Sequence, residues 1–150
     1  MNVITLGSTG IQVVQNGFGA LPIQRDSKEV AVKIVRRAYE GGMRFFDTAR
    51  AYSDSEEKVG EALHDVRDNL YIATKTMAQT PEEFWEQLEM SLRLLKTDYI
   101  DIYQFHCANQ VYAPGDGTGM YECMLEAKAQ GKIRHIGITA HKIQIAFDAV

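Results

Sequence analysis

Apolar residues recur along the chain in two rhythms, one helical and one confined to short β-leaning runs. In DSKEVAVKIVRRAYEGG, residues Val30, Ala31, Ile34, Val35 and Ala38 share one face of a 3.6-residue period, which predicts a helix stopped by Gly41-Gly42. Asp26 and Glu29 stand at capping-box spacing before it, making Asp26 the expected cap. TPEEFWEQLEMSLRLLKT predicts a second helix, with Thr80 as cap, Pro81 at the first helical position and Glu83 reaching back. Its apolar stripe is Phe84, Leu88, Leu92 and Leu95. Val59, Ala62 and Leu63 predict a helix from Ser55 to Val66, and another is expected from Gly119 to Gln130, stopped by Gly131. VITLGSTGIQVV, with Gly7-Ser8-Thr9-Gly10 at its centre, predicts a hairpin over residues 1–15.

Between the helices lie RFFDT, LYIATK, YIDIYQFH and IRHIGIT. Their separation of roughly 26 to 34 residues matches successive βαβ units, hence parallel strands and an α/β class. An open doubly wound sheet and a (β/α)8 TIM barrel compete for this pattern. The open sheet usually carries GxGxxG in its first turn; here Gly17-Phe18-Gly19 comes nearest, but Pro22 stands where the third glycine belongs. A complete barrel takes about 250 residues. The chain supplies a hairpin, about five strands and the start of a fifth helix, so residues 1–150 are expected to be the N-terminal part of a single barrel domain. The hairpin of residues 1–15 would close the barrel bottom. An unclosed sheet would leave open edges through which the chain could self-associate.

Composition narrows the partners. Among 150 residues, 45 % are hydrophobic and 24 % charged, an ordinary globular balance. The 16 Lys plus Arg against 20 Asp plus Glu give a net charge of -4, with the basic residues scattered, which argues against nucleic acid. No apolar run nears the roughly 20 residues of a membrane span. MNVITLGSTG lacks the basic start and apolar stretch of a secretion signal, so the expected compartment is the cytoplasm. Cys107 and Cys123 form no CxxC pair and read as reduced packing residues. The loop CANQVYAPGDGTG, from Cys107 to Gly119, is long enough to border a pocket, and its Gly and Pro content also fits a plain connector.

Chemistry gathers at strand ends. Parallel strands all point one way, so Asp47, Lys75 and His106, each closing a strand, should meet on one face, with Tyr52 in the loop after Asp47. Alternation puts Phe45 with Asp47, Ala73 with Lys75, and Gln104 with His106 on one side of the pleat. Singly each has a bland role: a cap, a packing ring, a solvated cation, a core histidine. Together they suit proton donation to a developing alkoxide, because a phenol gives up its proton more readily beside a cation and an acid can hold that cation charged. A neutral His106 could polarise and orient a carbonyl. Tyr71 and Lys75 also form YxxxK, a pair that works from a helix. Here both fall in a β-leaning run, about 13 Å apart at the strand rise, too far to share a proton route.

Asp47, Tyr52, Lys75 and His106, in this order and at these strand ends, resemble the catalytic tetrad of the aldo-keto reductases. GMRFFDTARAYSDSEEKVGEAL is similar to that family's first signature, with Arg44, Asp47, Thr48, Ala49, Glu57 and Gly60 in register. LGSTGIQVVQNGFGALPIQ, DYIDIYQFH and GKIRHIGIT look like its hairpin with first strand, its fourth strand and its fifth. The resemblance implies a (β/α)8 barrel, NADPH as hydride donor, and reduction of a small carbonyl substrate to an alcohol. It implies Tyr52 as proton donor, Lys75 and Asp47 as its tuners, and His106 as the residue that orients substrate. Gly19, Ala20, Asp47 and Thr139 match positions near the cofactor, and Leu21 one that often faces substrate. Where the family commonly shows Ser-Asn to hold the carboxamide, this chain has Thr139-Ala140 and so offers no amide. YSDSEEKVG looks closer to bacterial members, some of which carry a C-terminal iron-sulfur segment; this chain has no cysteine cluster for one, and no metal site is expected in it. The phosphate-binding loops of such barrels follow strands seven and eight, so the 150 residues alone are expected to be inactive. The same fold resembles the β subunits of potassium channels, which leaves a non-catalytic regulatory or interaction module as the alternative.

Overall fold

A computed structural model describes residues 2–149. Strands β1 (Val3–Thr5) and β2 (Gln12–Val14) form an antiparallel hairpin. Five further strands make one parallel sheet: β3 (Phe18–Gly19), β4 (Phe45–Asp47), β5 (Tyr71–Thr76), β6 (Ile100–Phe105) and β7 (Ile133–Ile138). Their order across the sheet is their order in the chain. A doubly wound sheet reverses strand order at a switch point, so this order selects the barrel-type path. Helices α1 (Lys28–Glu40), α2 (Ser55–Leu63), α3 (Pro81–Leu95), α4 (Met120–Ala129) and α5 (Ile143–Asp148) alternate with the strands, and α1 to α4 pack side by side in sequence. Among the described residues no helix is long and apolar enough to cross a membrane.

The two faces of the sheet differ. Phe46, Ile72, Thr74, Tyr103 and Phe105 face the helices and are buried. The register pairs Asp47 with Ala73, Lys75 with Gln104, and Gln104 with Gly137 on the other face, which would be the barrel interior. There Phe45, Asp47, Gln104, His135 and Gly137 stay half-buried.

Local signals act where the chain leaves them free to act. Thr80 accepts from the Glu83 N–H at 3.3 Å, and the Glu83 carboxylate reaches back to the Gln79 N–H at 2.8 Å. At α1 the cap is Ser27, whose hydroxyl accepts from Val30 N, and not Asp26. A 3-10 turn over Pro22–Arg25 ends on Asp26, whose N–H bonds to Ile23 O, so the helix can begin only one residue later. The helix expected to run to Val66 stops at Leu63 and continues as a 3-10 segment, His64–Asn69, broken by Val66 at φ -123° and ψ 15°.

Gly60 marks the closest packing. Within α2, a Cβ at this position would lie 2.2 Å from Leu94 O and 2.7 Å from Leu95 Cα, both backbone atoms of α3. Glycine in a helix interior ordinarily costs about 1 kcal/mol relative to alanine. Here Gly60→Ala should destabilise, by about 1–3 kcal/mol or more, because α2 and α3 must separate. A thermal or urea melt of the variant checks the sign, and an unchanged or raised midpoint contradicts the packing.

Candidate active site

After β4 the chain folds back over the end of β5. Thr48 N donates to Ala73 O at 2.8 Å and Arg50 N to Lys75 O at 3.0 Å; Tyr52 N then closes a turn onto Ala49 O. Ser53, at φ 42°, turns the chain into α2. This lays Tyr52 over the strand end that carries Lys75.

The Lys75 side chain is only 6 % exposed, and its ammonium donates to Asp47 Oδ1 at 2.6 Å and to Thr48 O at 2.7 Å. The same nitrogen sits 5.2 Å from the centroid of the Tyr52 ring. Tyr52 in turn meets His106 edge to face, centroids 5.4 Å apart at 81°. His106 lies one residue past β6, held by its N–H to Thr76 O at 2.9 Å. Among the described residues no hydrogen bond joins the phenol of Tyr52 to Lys75 or His106, which leaves its oxygen available to the space in front of it.

That space is one cavity of about 450 Å³ whose wall includes Asp47, Tyr52, Lys75 and His106. All four residues expected from the strand ends therefore border one volume. Leu21, 45 % exposed, forms an apolar side of it, and Thr139 and Ala140 line it from the end of β7.

Electrostatics separate His106 from Lys75. Burial, reinforced by the positive charge of Lys75, holds the His106 imidazole below its ordinary range; Asp47 opposes this and His141 adds to it. The imidazole is therefore neutral at neutral pH, while Lys75 carries the charge that Asp47 pairs. Among the described residues His106 Nδ1, which is buried, has no hydrogen-bond partner, so this ring is not the satisfied core histidine of the bland reading.

The expected cofactor-side residues are placed unequally. Gly19 is exposed, and nothing lies within 4 Å of where its Cβ would be, so a flat ring could approach this backbone. Ala20 is fully buried, its N–H bonded to Asp47 O and its carbonyl accepting from Ser55 Oγ. The Thr139 hydroxyl, on a residue of the cavity wall, accepts from Cys107 N at 2.9 Å and lies 3.4 Å from Phe105 O, leaving it one further lone pair.

Cys123 is buried, as a packing residue should be, but Cys107 is not one. At φ 50° it turns the chain out of β6, and its Sγ lies on the cavity wall 3.4 Å from His141 Nε2. Adjacency to strand-end residues was the one available signal for Cys107 and His141. The loop that Cys107 opens does border a second, smaller space of about 100 Å³, beside Thr76, His106, Asn109 and Tyr112. Among the described residues no three His, Cys, Asp or Glu side chains are grouped to hold a metal ion.

The model of the Aldo/keto reductase family matches residues 13–149. Methylglyoxal reductase DkgB of Salmonella typhi is 35 % identical over 142 residues, covering 89 % of this chain and 50 % of that protein. The solved holo form of aldo-keto reductase AKR11C1 from Bacillus halodurans superimposes with a TM-score of 0.87 at 30 % identity, over 99 % of this chain and 53 % of that one. An aldo/keto reductase from Klebsiella pneumoniae, solved in complex with NADP and acetate, gives 0.77 at 27 % identity, over 91 % and 49 %. The chain spans about half the length of the curated relatives it matches.

The His106 environment yields a direct test. Because its proton affinity is lowered in the fold, the unfolded chain binds that proton more readily, so stability contributed here is present above the ordinary imidazole value near 6.5 and is lost as pH falls through the folded midpoint. An NMR titration of the His106 ring should give a midpoint below about 6.5; a midpoint at or above that value contradicts the assignment.

Proposed function

The chain belongs to the aldo/keto reductase family, and we propose that its protein reduces an aldehyde or ketone to an alcohol by hydride transfer from NADPH, with Tyr52 as proton donor. The observation that carries this reading is the shared cavity of Asp47, Tyr52, Lys75 and His106.

NADPH, when bound, supplies the hydride that adds to the carbonyl carbon. The open backbone at Gly19 and the remaining lone pair of Thr139 suit its nicotinamide end, and a family member solved with NADP supports the choice of cofactor. Ala20 contributes by holding Asp47 through its N–H.

The chain's own residues handle the proton. As charge develops on the carbonyl oxygen, Tyr52 gives up its O–H proton to it, and the product is an alcohol. The electron pair left on the phenolate is stabilised by the ammonium of Lys75, 5.2 Å from the ring centroid. Asp47 and Thr48 O fix that ammonium in place. His106, kept neutral, orients the carbonyl without competing for the proton. Leu21 faces the substrate from the apolar side of the cavity. A small dicarbonyl such as methylglyoxal is the substrate class that the naming of a relative supports.

In the full-length protein, Tyr52→Phe should cut methylglyoxal-dependent NADPH oxidation by about 10²–10⁴-fold, the usual share of a general acid, with NADPH affinity within about twofold. Retained turnover would end the reading. The five parallel strands here precede the two whose loops bind phosphate in such barrels. The 150 residues alone should therefore show neither turnover nor tight cofactor binding, and micromolar affinity in a fluorescence titration with NADPH would overturn that expectation.

A further inference from the structure

Outside the cavity wall, one buried charged group ties together segments that carry cavity residues: Lys58, in the first turns of α2. It is 1 % exposed. Its ammonium donates to Ile23 O at 3.0 Å and Asp26 O at 2.8 Å, and pairs with Asp54 Oδ1 at 2.8 Å. A buried ammonium has three protons to place, and here all three are placed.

The three partners come from two segments that flank the cavity. Ile23 lies within, and Asp26 caps, the turn that follows Leu21, the apolar side of the cavity. Asp54 lies two residues after Tyr52, itself part of the cavity wall. Ser55 adds to the same clamp: its hydroxyl donates to Ala20 O at 2.9 Å and contacts Thr48 Oγ1 at 2.9 Å. Glu56, fully buried, joins Thr74 of β5 to Arg50 of the Tyr52 loop. Stability alone does not call for this arrangement, since well-packed apolar side chains often replace buried ion pairs at no loss. What an apolar side chain cannot do is fix two backbone carbonyls and a loop carboxylate in set directions.

We propose that Lys58 is a positioning residue that locks the Leu21–Asp26 segment to the Tyr52 loop and so sets the width of the gap in which substrate meets the acid. This rests on the reading of Tyr52 as proton donor.

Hydrogen–deuterium exchange on the purified full-length protein tests the clamp without any turnover. In Lys58→Met, exchange should rise by about tenfold or more in residues 20–26 and 50–55 while β5 and β6 keep their protection. In Asp54→Asn, which keeps both carbonyl bonds, the rise should be confined to residues 50–55. A rise spread evenly through the central strands, or none in residues 50–55 of Asp54→Asn, overturns the proposal; that second arm decides the matter if Lys58→Met does not fold. In turnover, Lys58→Met should lower the preference for methylglyoxal over the bulkier phenylglyoxal by about threefold or more, within the range a change of pocket fit produces; an unchanged ratio counts against it. A wild-type protein that reduces no carbonyl would refute the proposed function, while the exchange pattern would still judge the clamp.

Discussion

The ion pair between Lys75 and Asp47 is the contact on which the site depends. An ammonium left only 6 % exposed is costly to desolvate and needs an anion and a carbonyl to remain charged. Both come from the end of β4, the neighbouring strand: the carboxylate of Asp47 and the carbonyl of Thr48. The parallel register makes the reach possible, since Asp47 pairs with Ala73 and Lys75 projects on the same face two residues further on. Backbone bonds from Thr48 and Arg50 to the same stretch of β5 then carry Tyr52 over the ammonium. One charge pair thus fixes where the phenol sits and where positive potential is centred.

Much of this could be read from the chain because it depends on direction and period. Strand-end residues of parallel strands share a face whatever the loops do, so Asp47, Lys75 and His106 could be brought together before any coordinates were known. Helices with unobstructed caps, such as the one opened by Thr80, were equally plain. The failures come from local turns and distant contacts that residue type does not reveal. Asp26 has the right residue type for a cap, but the preceding 3-10 turn claims it, and its carbonyl is held by Lys58 from 32 residues away. Cys107 sits beside a strand end, yet only the left-handed turn at φ 50° directs its thiol to the cavity.

The run SEEKVG shows why charge patterning misleads at such a site. Read along a helix, Ser55, Glu56 and Lys58 suggest a solvated face, and all three are buried. Each is satisfied by a group outside its own helix: Ala20 O and Thr48 for Ser55, Thr74 and Arg50 for Glu56, two carbonyls and Asp54 for Lys58. Burial of Glu56 pushes its carboxyl upward, with the Thr74 hydroxyl and the Arg50 charge opposing. Asp54, Arg50 and Thr48 are near in sequence, but the remaining partners lie on residues 20–26 and on β5, which local sequence cannot supply. At Gly60 the same helix meets the backbone of α3 so closely that no side chain fits between them, which is why its polar first turn is held at fixed depth against the sheet.

Next to Tyr52 the cavity holds a firmly paired cation, Lys75, and an imidazole whose charging is disfavoured, His106, and this asymmetry follows from the order in which charges are placed. Among the described residues Asp47 is the one carboxylate on the cavity wall, and Lys75 takes it at hydrogen-bonding distance. His106 is then left facing the net positive charge of Lys75 with its own burial and no partner at Nδ1, so it stays neutral. Had the carboxylate been shared with the imidazole, a second proton would enter the site and, in the proposed reaction, compete with the phenol for the substrate oxygen. The chain avoids this by spacing: Asp47 and Lys75 come from adjacent strands, whereas His106 follows the next strand over and reaches Tyr52 only through the ring edge. In the proposed reaction, the division of labour between donor and orienter would therefore follow from strand order, before any chemistry begins.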